Sequence, residues 1–343
     1  MVIKTFLTLS VMLAVTLCVG MTLLHAQSRP YAVTPLGTLG GNYSAAYAIN
    51  GADQVVGVSL DRAKVTHAFL WEKGKMISLS GPDVPMSEAR GINEAGEIVG
   101  TQQDAFGRKQ AVLWKNGACR TLGTLGGRNS MAYAINDRGQ VVGTAQRSDG
   151  SYHAFLWSAN HMTDLGTLGG GRSDAFSIND QGQIVGQSKR SNGVNNAFLW
   201  EKGQMYNLGG LGHEESCALH ISADGLITGY AATSDCDIHA CLFAQGQAYD
   251  ISPEWESEGR AVTITPEGEA VCLTQDRGIE TISTAQAQRD GRKHWRTLHY
   301  TARPGWQVQV SNGNGKGQFV GKWISSAVKG TLSEEAVLLT PPH

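Results

Sequence analysis

Ala132-Tyr133-Ala134-Ile135-Asn136-Asp137-Arg138-Gly139-Gln140-Val141-Val142-Gly143 decides the architecture, because its central pair Ile135-Asn136 returns at a fixed step. Ile49-Asn50 and Ile92-Asn93 precede it and Ile178-Asn179 follows, each 43 residues from the last. Two further steps land on Ile221-Ser222 and Ile264-Thr265, where another small polar residue replaces the asparagine. A register held this long without insertion means one supersecondary unit repeated.

Working outward, the segment Ala132–Asn136 turns at Asp137-Arg138-Gly139 into Gln140–Gly143. A polar loop, Arg147-Ser148-Asp149-Gly150, leads to the apolar run His153-Ala154-Phe155-Leu156-Trp157. Met162–Leu168 is the fourth segment, closed by Gly169-Gly170-Gly171. Short segments rich in β-branched and aromatic residues, punctuated by Asn, Asp and Gly, predict strands and hairpins. No window carries helical spacing. Four antiparallel strands per unit of this length is the size of one propeller blade.

The ends predict closure of the ring. Val33-Thr34-Pro35-Leu36-Gly37 matches a fourth segment, and Glu335-Ala336-Val337-Leu338-Leu339 matches a third. Pairing them would remove two exposed strand edges. With a further hairpin near Gly317-Gln318-Phe319-Val320-Gly321, the expectation is an all-β, seven-bladed β-propeller of four-stranded blades over residues 27–343, its last blade completed by the N-terminal strand. Six blades is the alternative.

His67-Ala68-Phe69-Leu70-Trp71 and His153–Trp157, together with Leu-Gly-Thr-Leu-Gly-Gly and Ala-Ile-Asn, resemble the HAF-repeat family of bacterial extracellular repeat proteins. The resemblance covers nearly the whole chain after its leader. It implies a repeat of this type exported from a bacterium, and it brings no catalytic residues.

Residues 1–26 read as a signal peptide: Lys4 precedes an apolar run from Phe6 to Leu24, and Ala26 could precede the cleavage point. An uncleaved anchor is the alternative; after cleavage no later stretch is apolar enough to span a bilayer. The expected location is secreted, periplasmic or cell-surface, as a monomer. A formal charge of −2 with no basic run gives no electrostatic footprint for nucleic acid. The 43 glycines and only 17% charged residues suit many short strands joined by tight turns.

Residues held through the repeat are read as structural. Trp71, Trp114, Trp157 and Trp200 share one place, packing where neighbouring blades meet. Asn50, Asn93, Asn136 and Asn179 open turns that need unusual backbone angles. His67, His153 and His239 alternate with Gln110 and Asn196, which points to hydrogen bonding rather than to a metal. No cofactor is expected, since the glycine clusters match no phosphate-binding fingerprint.

Departures from the repeat are where use would show. Cys217-x-x-His220 and Cys236-x-x-His239 have ligand-like spacing, but they fall on strands about 9.5 Å apart. A Cys217–Cys236 disulfide, both residues being placed at one end of the unit, is the preferred reading. The connection Ile251-Ser252-Pro253-Glu254-Trp255-Glu256-Ser257-Glu258 replaces Leu-Gly-Thr-Leu-Gly-Gly. Glu254, Trp255, Glu256 and Glu258 are therefore candidate ligand contacts on one rim. Arg90 stands where other copies have tyrosine or phenylalanine. With no nucleophile–base arrangement above the repeat, the function expected is a non-catalytic scaffold binding an extracellular or envelope protein or glycan through one rim. A carbohydrate-binding module and a polysaccharide hydrolase or lyase using those glutamates are the alternatives; the latter needs carboxyls facing each other about 5 to 9 Å apart.

Overall fold

The third repeat shows how each unit is made. Its inner strand Gly126–Ile135, second strand Val141–Arg147, third strand Tyr152–Ser158 and outer strand His161–Asp164 pair in sequence order, all antiparallel. This is a computed structural model, and it describes residues 30–342 apart from 82, 245, 253–257, 266–267, 277–278, 288–292, 298–299, 301–305 and 326–333. Units of the same kind begin with the inner strands Gly40–Ile49, Met86–Ile92, Gly169–Ile178, Gly212–Ile221 and Glu258–Ile264. Near the C-terminus Trp306–Gly313, Phe319–Ser325 and Glu334–Thr340 pair likewise, and Ala32–Gly37 runs antiparallel to the last of them. Among the described residues there is no helix, and hence none long and apolar enough to cross a membrane.

The core lies between units. Val99, Ala111 and Leu113 of the second unit form one cluster with Ala132, Ile135, Val141, Phe155 and Trp157 of the third. Phe69, Phe155 and Phe198 are fully buried, each in a different cluster, and Trp157 packs in the cluster of Phe155 at 7% exposure. Both faces of each small sheet are covered, so the third strand is apolar without alternation, as strands buried on both sides are.

A β-bulge marks every inner strand. In the third unit Ala132 pairs with Gly143 and Ala134 with Val142, so Tyr133 is left over. The glycine is a consequence of close approach: a Cβ on Gly143 would lie 2.0 Å from the Met131 carbonyl oxygen. Gly57, Gly100, Gly186, Gly229 and Gly321 meet the opposite strand in the same way. The sixth unit differs, with Cys272 opposite Ala261.

Two hydrogen-bonded bridges join successive units. Ser130 Oγ accepts from Ala111 N at 2.9 Å and donates to Gly123 O at 2.6 Å. Asn136 Nδ2 donates to Asn179 O, one unit on, at 3.0 Å, and the same link runs from Asn50 to Asn93 and from Asn93 to Asn136 at 3.1 Å each. The asparagines are thus ties between units, and their backbones are not left-handed; in the third unit that duty falls to Gly139, at φ +71°.

The inner strands start earlier than the repeat predicts. Gly126-Gly127 and Gly169-Gly170-Gly171 belong to inner strands, and are not linkers outside them. This displaces Cys217 from a strand end to the strand interior, opposite Tyr230. The Cys217–Cys236 disulfide is accordingly not formed, and both thiols are free. Cys236 sits in the turn beyond Thr233. Tyr230 to Thr233 alone covers about 10 Å of strand, more than the ~7 Å Cα separation a disulfide tolerates.

Candidate functional site in the inner cavity

The bulged residues share one destination. Tyr47, Arg90, Tyr133, Phe176, Leu219, Val262 and Ser311 all line a cavity of about 700 Å³ toward which the inner strands turn. A bulge leaves its extra residue outside the ladder and re-aims the side chain. Each unit therefore presents one side chain that its own sheet does not need.

Four successive units build an arc of aromatic and cationic groups. The Arg90 guanidinium lies 4.3 Å from the centre of the Tyr47 ring. Tyr133 and Phe176 meet at 5.7 Å between ring centres, tilted by 44°. Leu219, Val262 and Ser311 complete the lining with aliphatic and small groups. Desolvation by burial pushes the Tyr47 and Tyr133 phenols up to about 12, so both stay neutral hydrogen-bond donors at physiological pH.

One pleat along, the inner strands carry charge. Arg90 Nη2 donates to Glu88 at 2.8 Å, and its Nε is buried without a partner among the described residues. Arg172 grips Asp174 through Nε at 2.9 Å and Nη2 at 3.1 Å. Cys217 is buried there, and desolvation pushes its thiol up to about 12, which makes it no nucleophile. The cations and carboxylates pair off, leaving a lining rich in donors and acceptors rather than a strong field.

His220 lines the same cavity and stands where other units carry Ala48, Gly91, Ala134 and Ser177. Its Nδ1 is buried with no partner among the described residues, and burial holds the imidazole down to about 4. The folded pKa lies below the ordinary value of 6.5, so folding favours the neutral ring. The associated stability is present in full above the unfolded pKa and is lost as pH falls through the folded one. His220→Ala should therefore lessen the loss of stability on acidification through this window, by on the order of 2 kcal/mol with allowance for the ring's partial opening to the cavity. Urea midpoints of both proteins across the window check it; equal losses would reject it.

Of the candidates named from sequence, Glu254, Trp255 and Glu256 lie outside the described residues. Glu258 opens an inner strand, opposite Gln275. The histidines of the third strand hydrogen-bond locally: His153 Nδ1 meets Asp164 at 2.8 Å and His239 Nδ1 meets Asp250 at 2.9 Å. Sequence reasoning marked Arg90 as a departure but missed Tyr47, Tyr133 and Phe176. The available signal was that one position varies in chemistry while its neighbours repeat.

No protein-family profile matches the chain, and no curated protein matches it. Solved structures match in shape. A puromycin hydrolase superposes over 91% of this chain with a TM-score of 0.60 at 15% identity. YCF48, solved bound to the D1 peptide, covers 92% with a TM-score of 0.52 at 11% identity, and 97% of that chain is matched. The WD40 β-propeller domain of Doa1 covers 89% with a TM-score of 0.50 at 14% identity, matching 96% of its own length. The chain is similar in fold to the β-propellers. It spans 55% of the hydrolase, and at such identities the likeness concerns fold alone.

Proposed function

We propose that this chain is an exported, non-catalytic β-propeller of the HAF-repeat type, closed as seven blades, that binds an extracellular or envelope macromolecule at the mouth of its inner cavity. Closure is supported by the same bridges that join consecutive units. Asn314 Nδ2 donates to Asn50 O at 3.0 Å, and Ala336 N donates to Ser44 Oγ at 2.8 Å. Lys316 also reaches Asp53 at 3.0 Å. A ring of this kind leaves free only the short edges of the outer strands, which favours rims, grooves and the cavity as places for a partner.

The observation that carries the reading is the bulge position. Serine and asparagine recur because they hold units together and glycine because two strands of one unit approach closely, whereas the bulged side chain changes from Tyr47 to Arg90 to Tyr133 to Phe176 around one arc. Aromatic rings and a guanidinium converging on a concave surface make a recognition site. The non-catalytic reading draws on the burial of the cavity's titratable groups. The Tyr47 and Tyr133 phenols and the Cys217 thiol sit near 12 and the His220 imidazole near 4, so none is poised near neutral for proton transfer.

The test places a photo-crosslinking residue at Tyr133 in the mature chain exposed to its native envelope fraction. It should trap one macromolecule that the same residue at the exposed Tyr206 does not. A second change, Arg90→Ala, should cut that adduct about tenfold by removing the neighbouring cation. Equal trapping from both positions, or none from Tyr133, rejects the site.

A further inference from the structure

A groove of about 770 Å³ opens between the second and third units, well outside the inner cavity. Two cations distant in sequence, from neighbouring units, meet in it. Arg120 stands where four other units carry Ile77, Thr163, Tyr206 and Tyr249, while the sixth has another arginine, Arg296, at this register position. Arg138 stands where four other units carry Ala52, Ala95, Gln181 and Asp224, and the C-terminal unit places another cation, Lys316, at the same turn position. One arginine comes from an outer strand and the other from the turn of the next unit, and both line the groove. Two like charges lining one groove repel, and an anion between them would relieve that repulsion.

Neither arginine is neutralised. Arg120 Nη1 donates to the amide oxygen of Asn160 at 2.8 Å, and its guanidinium lies 5.4 Å from the centre of the Trp157 ring. The amide and the indole orient it without cancelling its charge. The Arg138 guanidinium has no side-chain partner among the described residues, and both arginines are exposed. Lys115, the third cation of the groove, is different: it is paired with Glu97, replacing the Gln54–Glu72 and Gln183–Glu201 contacts of other units.

Two kinds of group thus face one space. Free guanidinium groups read a carboxylate through paired N–H donors. The Asp137 carboxylate, lining the same groove, accepts hydrogen bonds from hydroxyls, whereas both oxygens of Glu97 are already held, by Lys115 and Asn93. An acidic peptide would bring its carboxylates against that of Asp137. A sugar acid carries one carboxylate and several hydroxyls on each ring, and satisfies both sets.

We propose that the groove between the second and third units binds a hexuronate unit of an acidic polysaccharide, its carboxylate held by Arg120 and Arg138 and its hydroxyls by Asp137. The site goes beyond the inner-cavity reading and stands or falls without it.

The repeat supplies its own control. Arg120→Thr and Arg138→Gln install the residues found one unit on, at Thr163 and Gln181, so the fold already accommodates them. Calorimetric titration of the mature chain with tetragalacturonate and with tetramannuronate should show binding by at least one. The double variant, melting like the parent, should bind about tenfold or more weakly. Full methyl esterification of the ligand should cost a similar factor, and affinity should fall as salt rises from about 0.05 to 0.5 M. The proposal is overturned by failure of both uronates at millimolar concentration, by undiminished binding in the double variant, or by equal binding of the ester. Hexaglutamate bound as tightly as the uronates would overturn it in favour of an acidic peptide. Loss of crosslinking at Tyr133 leaves these results unchanged, so the two sites fail separately.

Discussion

Gly143→Val is expected to cost about 4 kcal/mol or more and to leave little folded protein at physiological temperature. The argument is steric. A Cβ at Gly143 meets the Met131 carbonyl oxygen at 2.0 Å and the Ala132 Cα at 2.9 Å, both backbone atoms that no rotamer change can move. Relief requires the inner strand to lift, and that strand is pinned on either side by the pairs Ser130–Ala145 and Ala134–Val142. The sixth unit sharpens the expectation, because Cys272 occupies the equivalent place and is fully buried, with the bulge retained. A β-carbon is therefore compatible with the bulge once its surroundings adjust. Gly143→Cys should fall between wild type and valine in a urea titration. A cost below about 1 kcal/mol for both would mean the third unit relaxes freely to the geometry of the sixth, and the steric account fails.

This position also marks where the sequence was legible and where it was not. The 43-residue step carries the unit, its strand order and its turns, because those depend on local chemistry repeated in register. The inner-strand starts were not legible: Gly126-Gly127 looks like a linker by composition, and becomes strand only because the second strand of its own unit pairs with it across a bulge. That same misplacement produced the Cys217–Cys236 expectation. The cavity was half legible. Arg90 stood out by its charge, but Tyr133 in Ala-Tyr-Ala-Ile reads as an ordinary strand residue, and only the shift between Ala132 and Ala134 turns it out of the sheet. The blade-to-blade groove was invisible, since Arg120 and Arg138 are ordinary surface residues until two units are set side by side.

Asn136→Ala should cost about 3 kcal/mol, the second largest effect expected. Asn136 is 5% exposed and uses its whole side chain. Oδ1 accepts from Arg138 N at 3.1 Å and Gln140 N at 2.9 Å, closing the turn; Nδ2 donates to Gln140 Oε1 at 2.8 Å and to Asn179 O at 3.0 Å. Alanine strands partners on both sides in a place water reaches poorly, where an unmade bond costs more than a made one contributes. Two further substitutions separate the turn from the tie. Asn136→Asp keeps both acceptor contacts but turns a carboxylate toward two oxygens. Its folded pKa should rise above the usual carboxylate value of about 3.9, so its deficit should shrink on acidification as the protonated form regains one donor. Asn136→Ser copies the fifth unit, where Ser222 Oγ accepts from Leu226 N at 2.9 Å and gives its proton to Asp224. That residue keeps the turn and has no amide to reach across. If the asparagines act as ties, the serine variant should lose roughly half of the alanine cost, about 1.5 kcal/mol, with native hydrogen-exchange protection in its own turn and reduced protection at the next. Stability equal to wild type would show the turn to be the whole of the asparagine's task and the link between units to add nothing.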